Sequence, residues 1–159
     1  MDRYNSVVGK DDLVYILGDV GFTPKARLSP WVHALNGRKI LIVGNHDTLK
    51  DSDYLGMGFI EVIRHPVYFT SQVILSHCPL QEALDNSYVI NVHGHLHKSQ
   101  LTLPNYLNVN VELHDYLPLN LQDIARCAQK QCAFSRYQSF GKEWYAQWEH
   151  PVEKVARIT

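Results

Sequence analysis

The chain has 159 residues, of which 45% are hydrophobic and 19% are charged, and its formal net charge is −1 at pH 7. This length and composition predict one globular domain and exclude a disordered or fibrous chain. The near-zero charge excludes a general basic surface that would recruit nucleic acid or an anionic membrane, so nucleic acid is expected only as a substrate.

The cysteines and histidines of the sequence indicate the compartment and the kind of site to expect. The three cysteines, Cys78, Cys127 and Cys132, are an odd number at no metal-finger spacing, which predicts reduced thiols in a cytoplasmic protein. The sequence shows no secretory signal and no apolar run long enough to cross a bilayer, so no membrane partner is expected. Nine histidines are present, and four of them lie within residues 77–97.

The first half of the chain predicts alternating helices and buried strands. Residues 13–17 form a continuous apolar run, which is typical of a strand buried on both faces of a sheet. Ser29 followed by Pro30 predicts the start of a short helix. The predicted elements are a helix at 1–8, a strand at 13–17, a helix at 30–35, a strand at 38–43 and a helix or loop at 51–58.

The second half predicts mainly strands, followed by helix. Asn120, three residues before Asp123, resembles a capping box that begins a helix. The predicted elements are strands at 59–69 and 72–75 with a hairpin turn at Thr70-Ser71, a strand at 88–92, a half-exposed strand at 107–113 and a helix at 121–131. We expect a domain over residues 1–125 and a C-terminal helical extension over 126–159, which either packs on the body or serves as an interaction tail.

Four predicted strands end in a small residue that is followed by a side chain able to bind metal. Strand ends gather at one edge of a sheet, and a neighbouring glycine lets the backbone turn sharply there. Carboxylate, amide and imidazole groups without a thiolate suit Mn²⁺, Fe or Zn²⁺. Cys78 precedes a proline, which predicts a turn residue and not a nucleophile. The four pairs are Gly18-Asp19, Gly44-Asn45, Ser76-His77 and Gly94-His95.

Taken in order, these motifs resemble those of the calcineurin-like metallophosphoesterases of the small bacterial and phage type. The matching stretches are Gly18-Asp19-x-Gly21, Gly44-Asn45-His46-Asp47, Ser76-His77 and Gly94-His95-x-His97. The resemblance implies an α/β fold of four layers, with two mixed sheets packed face to face and helices outside. It implies two divalent metals, manganese, iron or zinc, about 3.5–4 Å apart. The implied activity is that of a phosphatase or phosphodiesterase, in which a metal-bound hydroxide hydrolyses phosphate monoesters or diesters.

The resemblance also assigns roles to individual residues. Asp19 would bridge the two metals, His97 would serve the first metal, and the remaining ligands would complete the second. His46 would bind no metal and would instead donate a proton or hydrogen bond to the phosphate and the leaving oxygen. The implied metal ligands are Asp19, Asn45, His77, His95 and His97.

Two further residues are candidates for supporting roles. Asp47 would either cap its own loop or hold His46 in position. His93 lies on the same side of its strand as His95, so it would either support the metal ligands or contact the substrate.

One expected motif is absent. The family's first motif, Asp-x-His on an N-terminal strand, would precede the first helix, and no Asp-x-His occurs anywhere in this sequence. The first metal would then have only Asp19 and His97, so we expect that site to be weak. The missing strand would be a central one, and its loss would leave backbone groups of the sheet unpaired.

Three explanations compete for the missing motif. Truncation or a late start codon is favoured, because the sequence begins inside a predicted helix. A degenerate relative would bind metal without catalysis and would serve as an inactive remnant or an interaction module. A second chain, as in a homo-oligomer, would fill the gap. Nucleotides, cyclic nucleotides, nucleic-acid ends and phosphoproteins are all compatible as phosphate-ester substrates.

Overall fold

The computed structural model describes residues 1–130 and 156–159, and these form two mixed β-sheets with helices around them. The fold predicted from the motifs is therefore confirmed. The strands are β1 (Leu13–Ile16), β2 (Arg38–Ile42), β3 (Phe59–Ile63), β4 (Val67–Thr70), β5 (Val73–Ser76), β6 (Ile90–His93), β7 (Tyr106–Asn108), β8 (Leu119–Asn120) and β9 (Ala156–Ile158). The helices are α1 (Asp2–Val7), α2 (Lys25–Ala34), α3 (Asp51–Gly56), α4 (Glu82–Asp85) and α5 (Leu121–Gln129), with a 3₁₀ turn at Val111–Leu113.

The first sheet has the strand order β3-β2-β1-β9-β8. Strand β9 lies between β1, with which it pairs in parallel, and β8, with which it pairs antiparallel. Tyr15 of β1 is in register with Ile158, and the side chain of Ile158 is fully buried. The expectation that the centre of this sheet would be left unpaired is therefore wrong, because a strand from the far end of the chain fills it.

The second sheet has the order β4-β5-β6-β7, in which β4 is antiparallel and the other pairs are parallel. One face of this sheet is apolar and joins the first sheet and α5 in a common core, because strand residues alternate between the two faces. Polar residues on its other face are also buried. The core includes Ile42, Ile158, Val73, Leu75, Val92, Leu107, Leu121 and Ile124. The buried polar residues are Ser76, Asn91, His93 and Asn108.

Three element boundaries differ from those predicted, each because of a local polar or proline residue. The stretch 59–69 is two strands in different sheets, since Pro66 interrupts the backbone donors between them. Helix α2 begins after Pro24, with Pro30 inside it. The predicted strand at 107–113 ends at β7, because the Asn110 side chain accepts a hydrogen bond from the Glu112 backbone and begins the 3₁₀ turn.

The C-terminal part of the chain contributes a helix, α5, and a strand, β9. The Asn120 side chain accepts hydrogen bonds from the backbone of Gln122 and Asp123, so the predicted cap of α5 is confirmed, although the helix ends at Gln129. Of the extension predicted over 126–159, residues 131–155 lie outside the described residues, and 156–158 form a strand that the sequence did not predict. Within the described ranges, no helix has the length and apolarity needed to cross a bilayer.

Candidate metal centre

The ends of four strands, two from each sheet, bring predicted ligands to one point. Asp19 and Asn45 follow β1 and β2 in the first sheet, while His77 and His95 follow β5 and β6 in the second. The Nε2 atom of His77 lies 2.8 Å from Asn45 Oδ1 and 3.1 Å from His95 Nδ1. The same atom lies 3.4 Å from Asp19 Oδ2. The gathering of ligands at the strand ends is thus present in the structure.

The backbone behind His77 sets the tautomer of its neutral ring. Its Nδ1–H donates to the Leu17 carbonyl at 2.7 Å, and a carbonyl can only accept, so Nε2 of the neutral ring carries a lone pair. The Asn45 amide oxygen and the Asp19 carboxylate oxygen that face Nε2 have no proton to donate. His77 is 6% exposed, so water screens this group of acceptors poorly. A divalent cation would relieve the repulsion, and these residues therefore fit a metal.

A cysteine also lies within reach of this point. Among the described residues, the ligand atoms of His77, Cys78 and His95 lie within 4.8 Å of one another. Burial raises the pKa of the Cys78 thiol, and the negative charge of Asp19 raises it further. The sequence offered one signal for this residue, its position directly after His77, but the adjoining proline led to its assignment as a turn residue.

Three of the predicted ligands have an unusual backbone conformation. The φ angles of Asp19, His95 and His97 are 54°, 61° and 50°, in the left-handed region that residues with a Cβ atom rarely adopt. Each such residue costs about 1–3 kcal/mol, and such strain persists where the surrounding structure enforces it. Here the Gly94 N–H donates to the His77 carbonyl at 3.0 Å and ties the two ligand loops together.

Two glycines allow the first two ligand loops to cross. Gly18 has a φ of 80°, and a Cβ atom placed there would lie 2.4 Å from the Gly44 backbone nitrogen. A Cβ atom on Gly44 would lie 2.4 Å from Asp19 Oδ1. The close approach of β1 and β2 at their ends therefore requires glycine on both sides.

Asp47 holds the same two loops together. Its Oδ2 accepts hydrogen bonds from the backbone of Asp19 at 2.7 Å and of Gly44 at 2.8 Å, and its Oδ1 accepts one from Val20 at 3.0 Å. The residue is 5% exposed. Of the two roles considered for Asp47, this geometry favours that of a loop clamp, since no bond to the His46 ring is found among the described contacts.

His46 lies at the exposed mouth of the site. Its backbone N–H donates to Asp19 Oδ1 at 2.9 Å, which joins the loop to a predicted metal ligand. The His46 ring contacts the ring of Phe22 edge-on, with 4.8 Å between their centroids. An exposed imidazole beside the metal ligands can reach a bound phosphate, as its predicted role requires.

His97 is exposed, and it lines a cavity of about 420 Å³ together with Asp19. Its carbonyl accepts a hydrogen bond from Asn108 Nδ2 at 3.0 Å, and the same amide group donates to the Ser99 carbonyl at 2.8 Å. Asn108 thus fixes the loop that carries His97. This role could not be predicted, because Asn108 occupies a strand position with no motif.

His93 lies behind the His95 loop and is fully buried. Its Nδ1 donates to the Gly94 carbonyl at 2.9 Å, which also accepts from the Leu96 backbone at 2.7 Å. Its Nε2 has no hydrogen-bond partner, and burial lowers the pKa of the ring. Of the two roles considered for His93, complete burial favours support of the His95 turn over contact with the substrate.

Comparisons with known proteins agree with this arrangement. A family model described as calcineurin-like phosphoesterase matches residues 2–149. The chain is 32% identical over 144 residues to the uncharacterized protein MJ1445 of Methanocaldococcus jannaschii, covering 80% of this chain and 72% of that protein. It is 28% identical to the gene 66 protein of Mycobacterium phage D29, covering 75% of this chain and 77% of the phage protein.

A solved structure is also similar. The crystal structure of the protein of unknown function AQ665 from Aquifex aeolicus matches with a TM-score of 0.59 and 27% identity, covering 79% of this chain and 81% of that chain. The family model spans most of the sequence. The similarity of this chain to phage proteins is consistent with the small bacterial and phage type that the motifs indicated. The chain therefore belongs to the calcineurin-like phosphoesterase family.

Proposed function

We propose that this protein hydrolyses phosphate esters, monoesters or diesters, with the help of divalent metal. The observation that carries the proposal is the convergence of Asp19, Asn45 and His95 on the Nε2 atom of His77, at 2.8–3.4 Å. The family relationship supports the same reaction class. A cavity of about 420 Å³ lies beside this point, and its lining includes Asp19, His77 and His95.

The proposed ligands of the metal at this point are Asp19, Asn45, His77 and His95. When bound, a divalent cation such as Mn²⁺, Fe²⁺ or Zn²⁺ would lower the pKa of water and neutralise charge on the phosphoryl oxygens. The Leu17 carbonyl keeps the His77 lone pair directed at the metal position, through its hydrogen bond with Nδ1.

His46 has the proposed catalytic role. Its exposed ring would donate a hydrogen bond or proton to the phosphate and the leaving oxygen, and contact with Phe22 restricts the orientations of the ring. Asp47 and His93 would act indirectly. Asp47 would hold the loop of Asp19, and His93 would hold the loop of His95, in their strained conformations.

A second metal would depend on Asp19 and His97, and we propose that this site is weak. His97 is exposed, and the structure gives it no contact with another predicted ligand within the described ranges. This observation favours a second candidate function, a metal-binding protein without catalysis. We further propose a cytoplasmic location, because an odd number of cysteines at no metal-finger spacing suits reduced thiols.

The test is an assay of metal-loaded protein with a chromogenic phosphodiester and a chromogenic monoester. Wild type is expected to hydrolyse at least one of them. His46→Ala should lower the rate by about 100-fold or more, the usual contribution of a general acid. Asp19→Ala should lower both the rate and the metal content, because it removes a proposed metal ligand.

His65→Ala provides the matched control. His65 is exposed in the link between β3 and β4, and its ring contacts only the neighbouring Pro66 carbonyl among the described contacts. Its rate should equal that of wild type. Equal activity in all four proteins would overturn the assignment, whereas metal binding without hydrolysis would support the non-catalytic alternative.

A further inference from the structure

One residue at the metal centre lies outside the carboxylate, amide and imidazole set that the motifs supply. The Cys78 sulfur lies within 4.8 Å of the ligand nitrogens of His77 and His95. The Cys78 sulfur therefore lies beside the point at which the other side chains converge.

The backbone that carries Cys78 is fixed on the second sheet. The Ser76 hydroxyl donates to the Cys78 carbonyl at 2.6 Å. On the other side of the turn, the Leu80 N–H donates to Asn91 Oδ1 at 2.8 Å, and Asn91 is fully buried. Both ends of the turn are thus bonded, and the Cα atom of Cys78 is held beside the metal point.

We propose that Cys78 provides a thiolate ligand to the metal that His77 and His95 hold, an inference that rests on the metal centre of the proposed function. Coordination breaks the S–H bond, releases the proton to solvent and forms a sulfur–metal bond, with no change of oxidation state. Metal–sulfur and metal–nitrogen bonds of about 2.3 and 2.1 Å would place neighbouring sulfur and nitrogen ligands about 3–4 Å apart. Rotation about the Cα–Cβ bond of Cys78 can move the sulfur by the ångström or so that this requires.

A thiolate ligand changes which metal the site prefers. Thiolate is a soft ligand that favours Zn²⁺ and Co²⁺ over Mn²⁺ and Mg²⁺, whereas oxygen ligands favour the latter pair. The site of this chain should therefore bind zinc more tightly, relative to manganese, than the same site without Cys78.

The first test is optical. The protein is loaded with Co²⁺ alone, and the thiolate-to-cobalt charge-transfer band in the near ultraviolet is measured per bound ion. Wild type and Cys127→Ser, which changes a thiol on α5, should both show the band. Cys78→Ser and Cys78→Ala should both bind cobalt and lack it.

The second test is metal competition with the same proteins. Cys78→Ser should lose about tenfold or more in zinc affinity, while its manganese affinity should change by less than about threefold. Thermal melts of the metal-free variants establish that they fold. The readout for the thiolate is thus independent of whether any phosphate ester is hydrolysed.

The outcomes separate the two proposals. Stoichiometric cobalt without the band in wild type, or an unchanged band in both Cys78 variants, would overturn the thiolate assignment and leave the proposed function standing. A wild-type protein that binds no cobalt would contradict the metal centre itself, and with it both proposals. A band that is lost only in the Cys78 variants supports the thiolate ligand.

Discussion

At the scale of single residues, the side chain of Asp47 carries the clearest energetic consequence. Its carboxylate satisfies the backbone N–H groups of Asp19, Val20 and Gly44 at a site that is almost fully buried. Asp47→Asn keeps an acceptor oxygen but turns an amide donor toward one of these N–H groups. We expect the free energy of unfolding to fall by about 2 kcal/mol in urea denaturation, since hydrogen bonds to a charged group contribute about 1.5–3 kcal/mol.

A surface carboxylate provides the comparison for Asp47. Asp51 forms an ion pair with Arg64 at 2.6 Å, and its side chain is 52% exposed. Asp51→Asn is expected to cost less than about 1 kcal/mol, because solvent screens exposed ion pairs. If the two variants were equally destabilised, the clamp role of Asp47 would be contradicted.

A buried histidine gives the molecule a pH dependence that can be measured. Burial lowers the pKa of His114 below its ordinary value of 6.5, while its Nε2 donates to the Asn108 carbonyl at 2.8 Å. The unfolded chain therefore binds more protons than the folded chain below pH 6.5. Stability contributed by the neutral ring is complete above pH 6.5 and is lost as the pH falls toward the lowered folded pKa.

His114→Gln tests this dependence, since a glutamine amide can donate to the same carbonyl and does not titrate. Urea denaturation of metal-free protein should show that wild type loses more unfolding free energy between pH 7.5 and 5.5 than the variant does. A variant that declined as steeply as wild type would show that His114 does not contribute to the acid sensitivity.

At the scale of elements, the insertion of β9 into the first sheet has the largest predicted effect. Ile158 is fully buried between β1 and β8, so Ile158→Ala should lower the free energy of unfolding by about 2–5 kcal/mol. The matched control is Ile60→Ala on β3, where the side chain is 47% exposed and the loss should stay below about 1 kcal/mol. Equal losses in denaturant titrations would mean that β9 does not occupy the centre of the sheet.

Much of the architecture could be predicted because its signals are local. The apolar run of β1 is unbroken, β2 has one from Ile40 to Ile42, and Asn120 is followed by residues whose backbone it caps. These elements therefore lie close to their predicted positions. The clustering of the four ligands could be predicted because each of them lies within three residues of the end of a strand. The residue spacing carries this information without reference to distant parts of the chain.

Other features depend on contacts between distant segments and could not be predicted in this way. The three residues of β9 are too few to show a period, and their strand conformation comes from pairing with β1 and β8. Asn108 gains its role from the loop whose carbonyls it binds, and no local pattern records that contact. The division of 59–69 into two strands could have been found, since Pro66 was visible in the sequence.

At the scale of the whole molecule, bound metal should couple the two sheets. Asp19 and Asn45 come from the first sheet and His77 and His95 from the second, so an ion bound by all four stabilises the folded state alone. Metal at 100 times its dissociation constant should add about 2.7 kcal/mol, or a rise of about 5–10 °C in Tm. Scanning calorimetry with and without a chelator measures the shift, and elemental analysis should find about one tightly held ion per chain.

The variant His95→Ala provides the control for this coupling, because it removes a ligand supplied by the second sheet. Its Tm should respond little to chelator. A wild-type Tm that does not change when the ion is removed would show that the metal does not connect the sheets.

The position of β9 also affects how the chain can fold during its synthesis. Arg157 of β9 forms an ion pair with Asp12, which lies 145 positions earlier in the chain. This internal strand of the first sheet therefore emerges from the ribosome long after its neighbour β1. Until then β1 has a free hydrogen-bonding edge where β9 will later pair, and an edge of this kind can pair with other chains. Because closing so long a loop is slow, we expect completion of this sheet to be the late step of folding and the stage most exposed to aggregation.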